Sequence, residues 1–290
     1  ALQIEDNECT VSPELKDLSK LGLPDTVQGV VTSRIDRLSA HEQLLLKVAS
    51  TIGRTFDLPL LQDVYPITQD RAKCNEVLDG LIKKDLIADN EFNSGGNYIF
   101  KHVITQDVTY NLMLGEQRRS LHASIAAWHE AKHNDDLSKL HPLLAKHWRL
   151  AKEPAKAIVH LDLAGEQAVH NYANLEAVDF LQDALDQSLE SPVDEMKRAR
   201  WLCLLAEATY RLGDLNASLN HFSQGLELLG HPFPQSLFGM LIATNIEFFK
   251  QCLYRVFPKY FLGRASKEEL PVLLQAAGCY ERLAQIRYLN

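Results

Sequence analysis

The sequence predicts a mainly α-helical protein, with helices around a small β unit in the first hundred residues and an array of helical repeats after them. Three observations carry that prediction. Apolar residues recur at spacings of three and four along most of the chain, as one buried helix face requires. Two alternating runs, Leu86 to Glu91 and Asn97 to His102, flank Asn93, Ser94, Gly95 and Gly96 and read as strands around a turn. Beyond residue 160 a set of large and small residues repeats after 41 positions.

Composition narrows the function classes. The 290 residues are 46% hydrophobic and 23% charged, an ordinary globular balance with enough chain for two domains. A formal charge of -8 opposes an extended phosphate-binding surface, so nucleic acid is not the default partner. Cys9, Cys74, Cys203, Cys252 and Cys279 are scattered and form no C-x-x-C pair, which predicts free thiols and a reducing, cytoplasmic setting. The most apolar window, Leu237 to Phe257, is interrupted by Asn245, Glu247, Lys250 and Arg255, so no membrane span is expected. The chain starts at Ala1 and stops in a helical pattern after Tyr288, the expectation for a fragment of something larger.

Residues 1–25 read as a loop or short hairpin. Pro24 opens a helix whose face is Val27, Val31, Ile35 and Leu38. Ser39 and Glu42 form a capping box for the next, with Leu44, Leu45, Val48 and Ile52 as its buried stripe. Arg54 to Asp57 is strand-like, Leu58 to Tyr65 a short apolar helix stopped by Pro66, and Asp70 to Lys84 a helix with Cys74, Val77, Leu78, Leu81 and Ile82 on one face. With the two strands that follow, this order is that of a winged helix over residues 39–103. A DNA-binding transcription regulator is therefore the alternative to weigh. From Asp70 to Lys84, however, four basic residues face three acidic ones, and residues 92–97 hold no Arg or Lys. A groove reader presents several cations there, so an interaction or regulatory winged helix fits better.

Residues 104–139 read as connecting helices, and from Leu140 the pattern is helical throughout, punctuated by Pro142, Pro154, Pro192 and Pro232. Leu202, Leu205, Ala206, Thr209, Gly213, Ser218, Phe222 and Gly225 fall where a tetratricopeptide repeat places its packing residues. Leu161, Ala164, Gly165, Ala168, Ala177, Leu181 and Ala184 do the same one register earlier. The spacing of 41 instead of 34 predicts an inserted stretch near Glu190 to Lys197. The fold expectation is thus a winged-helix domain with a small β wing, then an α-solenoid of tetratricopeptide-like repeats over 140–232, continued by further helices over 233–290. The Leu237 to Phe257 helix has an interfacial membrane character, but its basic residues are few, and covering the end of the solenoid is the stronger expectation.

His129-Glu-Ala-Lys-His133 matches the H-E-x-x-H of zinc peptidases. Lys132 puts a cation inside that turn, and Leu121, Ile125 and Trp128 give the helix an ordinary buried stripe flanked by both histidines. A zinc peptidase is the weakest alternative, and no metal ligand or catalytic residue is assigned. The chain contains no G-x-x-x-x-G-K-[ST] and no G-x-S-x-G.

Leu23-Pro-Asp-Thr-Val-Gln-Gly-Val-Val-Thr-Ser-Arg-Ile-Asp-Arg-Leu38 and Tyr98-Ile-Phe-Lys-His-Val-Ile-Thr-Gln-Asp-Val-Thr-Tyr110 resemble the signal-transduction ATPases with numerous domains (STAND). The closest likeness is to the large predicted ATPases linked to class III adenylate or guanylate cyclases and carrying tetratricopeptide repeats. Val48-Ala-Ser-Thr-Ile-Gly-Arg-Thr-Phe56, then Arg118, Arg119, Leu121 and His122, extend the likeness, which runs from residue 20 to about 230. The resemblance implies that residues 1–38 end the ATPase's helical lid and that its P-loop domain, with ATP or ADP and magnesium, lies upstream. It implies a regulatory segment without catalysis of its own, binding a protein or peptide partner on the repeat arm and, where a nucleotide cyclase lies upstream, controlling it. It also implies that His102 contacts the ADP phosphate. Asp107 follows five residues later, as in the family's histidine motif, whereas Val103 stands where that motif has Asp.

Overall fold

A computed structural model describes residues 2–5, 8–11, 25–89, 96–234, 237–257, 260, 266 and 269–289. It is mainly helical and divides into two compact units, Ala1–Lys132 and His133–Asn290. Among the described residues no helix is long and apolar enough to cross a membrane.

The first unit opens with an antiparallel pair, β1 (Leu2–Glu5) and β2 (Glu8–Val11), in register Leu2 to Val11. Most of the predicted lead-in loop, with Pro24, lies outside the described residues. Helix α1 (Asp25–Asp36) buries Val31 and Ile35. Helix α2 (Ala40–Ile52) starts at the Ser39/Glu42 capping box: the Ser39 hydroxyl accepts from the Glu42 amide at 3.3 Å, and Glu42 accepts from the Ser39 amide at 2.9 Å. Strand β3 (Thr55–Asp57) leads into α3 (Leu58–Val64), and β4 (Ile87–Asp89) and β5 (Asn97–Phe100) complete an antiparallel sheet in the order β3-β5-β4. The predicted turn residues Asn93, Ser94 and Gly95 lie outside the described residues.

One helix departs from the sequence pattern. The predicted Asp70 to Lys84 helix is a 3-10 segment over Thr68–Lys73, followed by α4 over Cys74–Lys83. The 3-10 stretch buries none of its residues, so no apolar face rewards a regular α turn, and Arg71 instead donates to the Tyr65 carbonyl at 3.2 Å. From Cys74 on, the apolar face is buried, with Leu78 and Leu81 inaccessible to solvent.

Helices α5 (Val103–Asn111) and α6 (Gly115–Lys132), read from the sequence as connectors, pack into this first core. Val108, Met113, Leu121 and Ile125 are buried with the residues of α1 to α4. Polar ties reinforce the packing: Gln106 Nε2 donates to the Ser50 carbonyl at 3.2 Å, Trp128 Nε1 to Asp63 at 2.8 Å, and the Tyr110 hydroxyl bonds His122 Nε2 at 2.9 Å.

The second unit stacks helices in chain order: α7 (His141–Leu150), α8 (Pro154–His170), α9 (Asn174–Glu190), α10 (Glu195–Arg211) and α11 (Leu215–Leu228). Each packs on the next, and α8 also reaches α10. Pro142 and Pro154 sit in first turns, where a missing amide costs nothing. Every repeat residue named from the sequence is buried except Gly213, which turns the chain between α10 and α11 at φ +85°. Close approach explains the small residues. A Cβ on Gly165 would lie 2.7 Å from Leu181 of α9, and one on Gly225 3.3 Å from Cys203 of α10.

The extra length of the repeat is not an inserted loop. Only residues 191–194 separate α9 from α10, and the additional residues lengthen the helices, each 17 residues long. The turns share one chemistry. Lys152, Tyr172 and Gly213 are each left-handed, and their neighbours close the preceding helix with paired bonds such as Glu153 N to Trp148 O and Asp214 N to Thr209 O, both 3.0 Å. Two of these positions lack glycine, so only Gly213 is visible in the sequence.

Beyond α11 come α12 (Leu237–Val256) and α13 (Glu269–Leu289). It is α13, not the Leu237 to Phe257 helix, that packs on α10 and α11, burying Ala276, Cys279, Leu283 and Ile286. Cys203 and Cys279 form a disulfide joining α10 to α13, which corrects the reading of five free thiols. They lie 76 residues apart, and only folding brings their Cα atoms to 6.5 Å. The thiol argument for a reducing compartment loses its basis at these positions, while Cys74 and Cys252 are free.

Candidate functional site

His102 occupies the N-cap position of α5 in extended backbone (φ -125°, ψ 128°). Its carbonyl accepts the Thr105 amide at 3.0 Å, while its side chain caps nothing and is exposed. The strand β5 delivers it there: Phe100 is fully buried and Lys101 N bonds the Leu86 carbonyl at 3.2 Å, which fixes the residue that follows.

Around His102 stands a corner made by the ends of three elements. Asp85, left-handed at φ +61°, closes α4 and forms an ion pair with Lys101. Arg34 of α1 donates to the Lys84 carbonyl at 3.0 Å, and the Lys84 ammonium reaches both Glu42 oxygens at 2.7 Å. Lys101 holds the Asp85 carboxyl below the usual range, with lesser help from Arg34 and His102. Burial raises the Glu42 carboxyl, but bonds from Lys84 and Ser39 outweigh it and leave it lowered. Arg34, Lys101 and His102 thus all act on the Asp85 carboxylate, while the Lys84 ammonium is turned to Glu42. Asp107, the sequence candidate for a partner of His102, feels only desolvation, which raises its carboxyl. The acid that senses His102 is Asp85. Sequence reading missed it because a non-glycine residue at positive φ leaves no mark in composition or spacing.

This corner has the chemistry for one terminal phosphate or carboxylate group, since an exposed imidazole stands beside fixed cations. It lacks the enclosing glycine loop a nucleotide needs. A second polar cleft of about 360 Å³ lies between α2 and the 3-10 segment, where Asp70 meets Lys73 at 2.8 Å and His41 at 3.6 Å. Its thiol, Cys74, is buried, and desolvation pushes it up, away from nucleophilic use.

The H-E-x-x-H helix does not keep its geometry. Helix α6 ends at Lys132, so His133 has left the helix that carries His129 and Glu130. His129 instead packs edge-on against Trp128, ring centroids 5.1 Å apart. Among the described residues no group of three His, Cys, Asp or Glu is placed to hold a metal ion.

In the second unit an open groove of about 580 Å³ runs along α8, lined by Leu163, Glu166, Gln167 and His170 with Ser138 and Lys139. Beside it Asp162, nearly buried, accepts from Trp201 Nε1 at 2.7 Å and pairs with Lys197 at 2.9 Å, locking α8 to α10. Arg200 spans Glu166 at 2.6 Å and Asp162 at 3.7 Å. A lone aspartate on an otherwise apolar face gives no sequence hint of this tie.

No family model matches the chain, and no solved structure matches it. An uncharacterized protein of Rhizobium meliloti (strain 1021) is 27% identical over 209 residues, a match covering 68% of this chain and 19% of that protein. The chain thus spans about a fifth of the length of this much larger relative.

Proposed function

We propose that the chain is a non-catalytic regulatory and interaction segment of a multidomain signal-transduction ATPase. Residues 39–103 act as a winged helix that senses nucleotide state, and the stacked helices act as a tetratricopeptide-like arm that binds a protein or peptide partner. The observation that carries the reading is the convergence of the three stretches that resemble STAND ATPases. Gln106 of the Tyr98 to Tyr110 stretch bonds Ser50 of the Val48 to Phe56 stretch, and α1 from the Leu23 stretch packs on α5. His102 then stands exposed at the end of this assembly, next to Lys101 and sharing the Asp85 carboxylate with Lys101 and Arg34.

In this reading an upstream domain binds ADP with magnesium, and His102 meets the terminal phosphate, a charge-assisted contact that nucleotide exchange would break. The DNA-binding alternative draws less support, because from Asp70 to Lys84 four basic residues stand against three acidic ones and residues 92–97 hold no Arg or Lys. ADP titration of a longer protein that includes the upstream domain tests the proposal. His102→Ala and Lys101→Ala should each weaken ADP by about tenfold, the worth of one charge-assisted bond. Unchanged affinity in both would refute the sensor role.

A further inference from the structure

Helix α12 is amphipathic in the wrong direction for a helix of a globular body. Phe238, Leu241, Ile242, Ile246, Phe249 and Leu253 fall on one side at helical spacing, and each is 43% exposed or more. They line a shallow apolar trough of about 640 Å³. Thr244, Glu247 and Gln251 lie on the opposite side, and Lys250 borders the trough, paired with Glu247 at 2.6 Å. Glu247 is close enough to Tyr280 of α13 to add to the burial that raises its phenol. The apolar side of α12 is exposed along its length. Contiguous exposed apolar surface of this size marks an interaction site.

Two further features select the occupant. Asn245 sits within the apolar side, but its amide nitrogen donates to the Leu241 carbonyl at 2.7 Å, which satisfies one of its donors within the helix. The second is charge. From Phe248 to Lys267 the sequence holds Lys250, Arg255, Lys259, Arg264 and Lys267 and no Asp or Glu, leaving 25 cations against 38 carboxylates in the rest of the chain. Phe248, Phe249, Tyr254, Phe257 and Tyr260 fall in the same stretch. A wide apolar face with aromatic residues and locally concentrated cations, on a helix that cannot span, matches the lipid and water boundary of an anionic membrane surface.

We propose that α12 docks flat on an anionic lipid surface, inserting Phe238, Ile242, Ile246 and Phe249 among the acyl chains while Arg255 meets the headgroups. The rest of the chain, being acidic, is repelled by the same surface, so α12 sets the orientation of approach.

Co-sedimentation with vesicles of phosphatidylcholine and phosphatidylserine tests this, beside vesicles of phosphatidylcholine alone. The chain should bind the anionic vesicles, release in high salt, and bind about tenfold less tightly as the Ile246→Glu/Phe249→Glu double variant. Leu189→Glu, which charges an exposed leucine on α9, should bind as the unaltered chain does. Both variants alter exposed side chains, and circular dichroism should show them folded. Binding that ignores the α12 substitutions, or no binding to anionic vesicles, overturns the proposal. Loss of a dimer on Ile246→Glu/Phe249→Glu without any vesicle binding assigns the face to a second copy instead.

Discussion

The two units are held together by different means. In the first, large side chains such as Leu46, Leu78, Ile87 and Phe100 fill one core, and the elements are tied by polar bonds that each occur once: Gln106 to Ser50, Trp128 to Asp63, Lys84 to Glu42. In the second, the same devices recur along the stack. Small residues sit at helix crossings, at Gly165 and Gly225, and left-handed residues close one helix after another, at Lys152, Tyr172 and Gly213. The difference teaches where damage spreads. A stack fails locally at the altered crossing, whereas a single core with unique ties loosens as a whole.

The largest expected effect falls at a place where the second unit also uses a tie that is not repeated along the stack. Asp162→Ala strips a buried acceptor from Trp201 and a partner from Lys197, and should cost about 3 kcal/mol. Asp162→Asn keeps an acceptor for the indole and should cost about half as much. Urea denaturation measures both, and equal losses would remove the indole bond from the account.

Gly165→Ala comes next. Alanine in a helix ordinarily gains about 1 kcal/mol over glycine, but the added methyl would sit 2.7 Å from Leu181, so a net loss of about 2 kcal/mol is expected. Gly213→Ala meets open space and should lose only about 1 kcal/mol, through its positive φ alone. Thermal melts in which Gly213→Ala unfolds at a lower temperature than Gly165→Ala would show that helix approach does not limit the stack.

Tyr110→Phe breaks one unique tie in the first unit, the bond to His122, and should cost about 1 kcal/mol. If the single core responds as a whole, amide exchange will rise across α2, α5 and α6 together. A rise confined to α5 and α6 would make this unit behave like the stack.

The sequence made some of this legible and hid the rest for identifiable reasons. The Ser39/Glu42 box, the buried face from Cys74 to Leu81 and the repeat residues from Leu161 to Gly225 follow from local patterns, and the structure has them. The 3-10 turn at Thr68–Lys73 was hidden because no local signal separates its polar residues from the apolar face that begins at Cys74. The Cys203 to Cys279 bridge, the Asp162 tie and the acid facing His102 all depend on contacts 39 or more residues apart or on positive φ, neither of which a linear pattern records. The fates of α12 and α13 were hidden too, since both are long and apolar. The difference lies in size: α13 offers Ala276 and Cys279 to its neighbours, whereas the apolar side of α12 is all large residues, which suit a soft surface better than a close helix crossing.

Acidification should separate the two units with the smallest effect of all. In the second, burial holds the His141 imidazole below its ordinary value, and the nearby His160 adds to this, their Nδ1 atoms lying 3.1 Å apart. One N–H can bridge two such nitrogens, but two protons there repel. A histidine lowered by folding binds its proton more readily unfolded, so stability is intact above about pH 6.5 and falls as pH drops through that value. His221 on α11, also lowered by burial, acts with the same sign. In the first unit Glu42 is lowered, so its contribution is present above its ordinary value of 4.5 and is lost only below it. Between pH 7.5 and 5.5, amide exchange corrected for its intrinsic rate should therefore rise in α7 and α8, while the Glu42 tie between α2 and α4 keeps its contribution. His141→Gln should flatten the response of α7 and α8. A response of the same size in that variant would move the effect away from the histidine pair.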